Sequence, residues 1–472
     1  MFRAEHLIRG NQVGGFARFF FLALFVIFVS GRALADENLV EPEIEAWQDL
    51  QKDFGGGFPF FGQDLMLEAL EATGQVGSEL VAAPLSELMT ELQLRRGLKF
   101  KYFTPWHVKD KSSLRSFIRR EIEREYPDEK AVEEEAVLKV LGLVPLEFKL
   151  KVFLEELLTD AVAGVYDPNE DQFFLVDAEQ GQGLLERFKV KASNQLLGDT
   201  RSVVMIHELD HALGSQHFGF RETFDTLLKE STLDQRIAIQ SLLEGDATFV
   251  MMDHQSKLEP ELAGSGLIVE GMTVITDALL KFPLPLPGMG QIGKAPLYFK
   301  KSLIFPYYGG AEFVSVLRHH TFGWELVNRA YRELPRSTEE LLHPTEYILR
   351  SGPLGVPDFT KLPEVFGPWE KLKDETCGEF VLQVVLEQHG VENYREAARG
   401  WGGDRLRIYQ HKDSGALGFY WVIEWDNELE AQEFYGSLGS HLPFVVEQEE
   451  AVSILSLAFK DSELATLRSS WH

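Results

Sequence analysis

Apolar positions recur at helical spacing through two long stretches in the middle of the chain, "RSVVMIHELDHAL" (201–213) and "LDQRIAIQSLLEGDATFVMMDHQ" (233–255). The first predicts a helix opening near Asp199 or Thr200, with Gly214 where a helix-ending glycine belongs. The second predicts a helix capped by Ser231 or Thr232. Earlier stretches, "SLRSFIRREIEREY", "EKAVEEEAVLKVLGLV" and "LEFKLKVFLEELLTDAVA", read as helices with solvated charged faces. The period changes to two in "AGVYDPNEDQFFLVD" (163–177), where apolar runs flank Asp-Pro-Asn-Glu-Asp and predict a β-hairpin. "GLKFKYF" (97–103) alternates as a strand should. The proline-rich "FPLPLPGMGQIGKAP" (282–296) interrupts the helical pattern, which resumes near 310–333. Residues 375–460 read as a separate small α+β module: a helix leading to "GWGGDRLRIYQ", then a strand, a helix and two strands.

A chain of 472 residues is long enough for about two or three domains with real cores. Its net charge of −28 argues for solubility and against nucleic acid as a partner. Arg3, Arg9 and Arg18 precede an apolar run, Phe19 to Val29, and Ala33-Leu34-Ala35 suits a cleavage site. Residues 1–35 therefore read as a signal peptide, and the product as exported, periplasmic or secreted. A membrane enters only if that segment stays uncleaved as an anchor. The single cysteine, Cys377, excludes an intramolecular disulfide and reads as a buried small residue. Residues 36–95 look peripheral, 96–160 form a helical subdomain, and 161–360 carry the chemistry.

That chemistry sits in "HELDHALGSQH" (207–217). On a helix His207 and His211 lie one turn apart on one face and can present two imidazoles to one ion. Glu208 is rotated about 100° from His207, too far to join them but near enough to act as general base on a water at such an ion. Two residues compete as third ligand. His217, with Gly214, completes H-E-x-x-H-x-x-G-x-x-H, the metzincin spacing. Met251 or Met252 would then supply a Met-turn, but both lie in a strong helical pattern. Glu244 is the alternative, in the second helix, beside a Gly245 expected to let the helix of His207 and His211 approach closely.

Several further segments extend the motif: "VAGVYDP" (162–168), "HELDHALGSQHF" (207–218), "LLEGDAT" (242–248), "FPYYGGAEFV" (305–314), "STEELLHPTEY" (337–347) and "GWGGDR" (400–405). In these the chain resembles a family of bacterial gluzincin-like zinc metallopeptidases, exported or membrane-anchored, with an HExxH…EGDA signature. The resemblance implies an α+β fold: a zincin-like, mainly helical catalytic domain with an edge-strand hairpin, plus the C-terminal module. It implies Zn²⁺ held by His207, His211 and Glu244, with Glu208 as base, acting on a peptide or protein substrate. It names no substrate and no oligomeric state. His343 or Tyr308 is a candidate donor to a developing oxyanion. Asp246 is turned about 200° from Glu244 and, like Asp210, is not expected to ligate. Thr248 stands where many gluzincins place an acid that orients a ligand histidine. The rival expectations are a metzincin-type peptidase using His217, and a non-catalytic, metal-stabilised envelope binding or assembly protein.

Overall fold

The computed structural model describes residues 79–102, 106–109, most of 116–124, 126–161, 164–167, 172–176, 200–220, 231–258 and 294–471 apart from 356 and 440. Residues 1–35, read from sequence as a signal peptide, lie outside these residues, as does most of the proline-rich loop. No helix among them is long and apolar enough to cross a membrane.

The architecture is mixed α+β. The helix α1 (Glu79–Arg96), strand β1 (Trp106–Lys109), and helices α2 (Asp128–Val140) and α3 (Leu150–Ala161) lead into the hairpin β2 (Gly164–Asp167) and β3 (Gln172–Val176). β3 pairs antiparallel with β2 and parallel with β1, so among the described residues β2 is an edge of a three-stranded sheet. The expected strand at 97–103 does not form over the described residues 97–102. The Phe100 amide donates to Gln93 Oε1 (3.0 Å) and the Lys101 amide to Gln216 Oε1 (2.8 Å). Side chains thus satisfy this backbone where a ladder would otherwise be needed.

Two helices carry the motifs, α4 (Thr200–Phe218) and α5 (Leu233–Leu258). Thr232 caps α5: its hydroxyl accepts from the Gln235 amide (3.3 Å), and Gln235 Oε1 accepts from the Thr232 amide (3.2 Å). Residues 237–244 of α5 are buried without a break, so this helix runs through the protein rather than over it. It packs between α4 and α6 (Leu297–His319). Short helices α7 (Trp324–Ala330), α8 (Thr338–Leu342) and α9 (Pro344–Leu349) close this unit.

The C-terminal unit is a six-stranded antiparallel sheet in the order β4-β5-β6-β7-β9-β8. Its strands are β4 (Val365–Phe366), β5 (Trp369–Glu375), β6 (Trp401–His411), β7 (Leu417–Trp425), β8 (Val445–Glu449) and β9 (Val452–Leu457). Helices α10 (Gly378–Gln388), α11 (Tyr394–Ala398), α12 (Glu428–Leu438) and α13 (Asp461–Trp471) complete it. Alternation along β7 serves two cores. Phe419, Trp421, Ile423 and Trp425 join the larger core with α10 and α12, while Tyr420 and Val422 pack with Phe359, Trp369 and Leu467. Asp404, in "GWGGDR", is fully buried and fully used. It accepts from the Cys377 and Gly378 amides (2.9 and 2.7 Å) and the Trp401 and Trp421 indoles (3.0 and 3.1 Å). Cys377 is buried and free, and burial pushes its thiol pKa up, as suits an inert core residue.

The two units share the start of α5. Glu375 Oε1 accepts from the Leu233 amide (2.8 Å), and the Thr376 carbonyl accepts from the Asp234 amide (3.1 Å). Beside this contact, Arg236 and Lys373 lie between Glu134 and Glu375, tying α2, α5 and β5 together.

Candidate metal centre

α4 delivers His207 and His211 to one face, as i, i+4 spacing requires, and α5 brings Glu244 against them. All three are buried, and one ligand atom from each lies within 4.8 Å of the others. The two Nε2 atoms are 3.1 Å apart; Glu244 Oε2 is 3.2 Å from that of His207 and 3.5 Å from that of His211. An ion bound tetrahedrally at about 2.0–2.1 Å needs ligand atoms about 3.3–3.4 Å apart. The three separations bracket that value, so the group could hold a metal ion. Along the same face of α5, Gln240 Nε2, Glu244 Oε1 and Thr248 Oγ1 are buried with no hydrogen-bond partner among the described residues. Buried polar atoms in that state mark a place for an ion or ordered water.

Electrostatics agree with the geometry. Burial alone would raise the Glu244 pKa, but the two imidazoles outweigh it and hold the carboxyl below its usual range. Burial also lowers the pKa of His211, keeping the ring neutral as a ligand must be. Glu208 is buried next in sequence to His207.

His217 is elsewhere. α4 does not stop at Gly214 but runs on to Phe218, and the glycine that ends it is Gly219, at φ 66°. Six residues along an unbroken helix, His217 donates from Nε2 to the Lys99 carbonyl (2.7 Å) and is not one of the three grouped residues. Gly214 is small for another reason: a Cβ there would come 2.7 Å from the Phe220 ring.

The two expected oxyanion donors have partners elsewhere. His343 places Nε2 3.0 Å from Glu379 Oε2, at the junction with the C-terminal unit. Tyr308 packs against the larger core, and burial raises its pKa. Its neighbour Tyr307 is the aromatic at the centre, stacked on His207 with ring centroids 5.9 Å apart. The sequence "PYYGG" alone could not separate the two tyrosines, because their distinction is the rotation of α6 about its axis.

Asp246 lies off the Glu244 face, as its rotation requires. Its Oδ2 accepts from Arg96 Nη2 (2.9 Å) and from the Tyr331 hydroxyl (2.8 Å). Arg96 also donates to Asn328 Oδ1 (2.8 Å) and stacks 4.3 Å over Trp324. Burial and the nearby Asp246 carboxylate push the Asp210 pKa well up.

Residues 365–457 match a family described as a domain of unknown function, DUF8575. The match covers the whole C-terminal sheet and leaves the metal centre outside it. No curated protein and no solved structure matches the chain.

Proposed function

We propose that this chain is an exported zinc-dependent metallopeptidase of gluzincin type, with a zincin-like catalytic unit. The observation that carries the reading is the convergence of Glu244 on His207 and His211 at tetrahedral spacing. Two imidazoles and a carboxylate are a donor set that zinc takes in hydrolytic sites. Zinc held there supplies Lewis acidity to a scissile carbonyl and acidifies water.

The remaining work belongs to the chain. Glu208, projecting from the same helix as the two histidines, accepts the proton of the attacking water and passes it to the leaving amine. Tyr307 braces the His207 ring by stacking on it. β2, an edge strand packed near α4, offers backbone groups to which an extended peptide adds as a further strand. Export rests on the N-terminal apolar segment and the Ala33-Leu34-Ala35 site.

The test is turnover by purified protein on unfolded casein and a peptide library, beside Glu208→Gln. We expect zinc in both proteins, and loss of about 10²–10⁴-fold in rate for the variant. Zinc in both with no cleavage by wild type across the panel would sink the peptidase reading and leave a metal-stabilised binding protein.

A further inference from the structure

Glu244 commits only one of its oxygens to the metal centre. Oε2 lies 3.2 and 3.5 Å from the two imidazole Nε2 atoms and faces them. Oε1 is buried and has no hydrogen-bond partner among the described residues. The last torsion of a glutamate is soft, so a carboxylate with one oxygen unheld can turn. Turning exchanges the two oxygens and moves the ligand atom.

Gln240 stands one turn earlier on the same face of α5. It is 1% exposed, and its Nε2 likewise has no partner among the described residues. One atom is a donor with no acceptor, and the other is an acceptor with no donor. Side chains at i and i+4 have Cβ atoms about 5–6 Å apart, and a glutamine one turn ahead of an acid or amide forms a hydrogen bond at this spacing. Each side chain carries its polar atom three bonds beyond Cβ, which covers the span. Two buried deficits of opposite kind are then relieved by one bond, whereas either left alone bears the cost of desolvation.

The neighbouring side of α5 offers Gln240 no outlet. Ser241 returns its hydroxyl to the Ile237 carbonyl (2.8 Å), and a Cβ on Gly310 of α6 would come 1.9 Å from the Ser241 carbonyl oxygen. Thr248 is the competing donor, one turn beyond Glu244, with Oγ1 also buried and without a partner among the described residues. Direction favours Gln240. Helical side chains lean toward the N-terminus of their helix, so the Glu244 carboxylate lies over the turn that Gln240 begins, not over the turn of Thr248.

We propose that Gln240 is a positioning residue for the third ligand: its amide donates to Glu244 Oε1 and so keeps Oε2 toward His207 and His211. This rests on the metal-centre reading but not on peptide hydrolysis. Gln240 acts through Glu244 alone. A ligand carboxylate held by such a donor keeps its orientation, and metal affinity gains accordingly.

The test is zinc affinity of the full-length protein at 20 °C or about that temperature, by competition with a chelating indicator, beside the melting temperature of the chelated protein. We expect Gln240→Leu and Gln240→Met each to bind zinc about 10–100-fold more weakly. Gln240→Met keeps the length of the side chain, so it preserves the test if leucine packs poorly. Well below melting, a variant that is merely less stable remains folded and binds zinc as wild type does, so affinity separates positioning from packing. Ser241→Ala loses a buried hydroxyl from the adjoining position and should keep wild-type affinity, as should Thr248→Val. Wild-type affinity in both Gln240 variants overturns the proposal. So does an equal loss in Ser241→Ala, which would mean a packing effect, or a loss in Thr248→Val alone, which would make the threonine the donor. A wild-type protein that binds no zinc would instead sink the metal-centre reading, and this proposal with it.

Discussion

Gly245 and Gly310 stand so close that a methyl group on Gly245 would lie 2.1 Å from the Gly310 carbonyl carbon. The helix that Gly245 admits is α6, not α4, the helix of His207 and His211 that the sequence led us to expect. A Cβ on Gly310 would in turn come 1.9 Å from the Ser241 carbonyl oxygen. Neither contact can be relieved by turning a side chain, because both partners are backbone.

Gly245→Ala and Gly310→Ala should therefore each push α5 and α6 apart, costing about 1–3 kcal/mol or more. Glu244 precedes Gly245, so metal affinity should fall together with the melting temperature. Wild-type zinc content in both variants would show that the helix contact and the ligand are not coupled.

The identity of the third ligand is settled by zinc content per chain. Glu244→Ala should lose zinc, whereas His217→Ala should keep it, with only a small loss of stability from the freed Lys99 carbonyl. Zinc lost in His217→Ala and retained in Glu244→Ala would restore the metzincin arrangement.

Arg96 and Asp246 form a fully buried ion pair whose value shows when it is broken. Arg96→Leu leaves Asp246 beside Asp210 with no counter-charge, and should cost about 3–5 kcal/mol in chemical denaturation. Arg96→Leu with Asp246→Leu should recover part of that loss. Additive losses would mean that the pair is not the relevant interaction.

The junction with the C-terminal unit should make stability fall as pH rises. Burial pushes Asp234 up to about 8, against the Thr338 donors and with Asp404 and Glu379 nearby. Burial, Asp426 and Glu379 push Glu339 up to about 9. The hydrogen bond to Glu379 raises His343. Each group binds its proton more tightly folded than unfolded, so each contribution is complete at low pH and fades as pH rises through the folded pKa. Unfolding free energy of the chelated protein should therefore decline from about pH 4, where the unfolded carboxyls titrate, to about pH 9, and Glu339→Gln should flatten that decline. A flat wild-type profile would remove these groups as its cause.

Legibility followed locality. A cap at Ser231 or Thr232, the two long helices and the C-terminal strands from 417 onward were readable, since each depends on neighbours in sequence. β5 escaped because "WEKLKDE" is polar and carries an irregularity between Lys371 and Lys373, its charges being used against Glu134 and Glu375. The alternation of Leu98, Phe100 and Tyr102 resembled a strand only because sequence does not reveal Gln216 waiting to bind that backbone. At the candidate site, His207 and His211 are fixed by one helix. Glu244, Tyr307 and Gly310 depend on how three helices meet.

The bond from the Leu233 amide to Glu375 has a consequence for the order of synthesis. A ribosome releases α5 well before it has made the acid that holds the helix's first turn. Until β5 emerges, the Leu233 amide lacks its acceptor and the first turn of α5 is held by the Thr232 cap alone. A nascent chain interrupted before residue 375 would then carry both histidines yet hold metal poorly. A centre assembled in this order is complete only after most of the polypeptide exists.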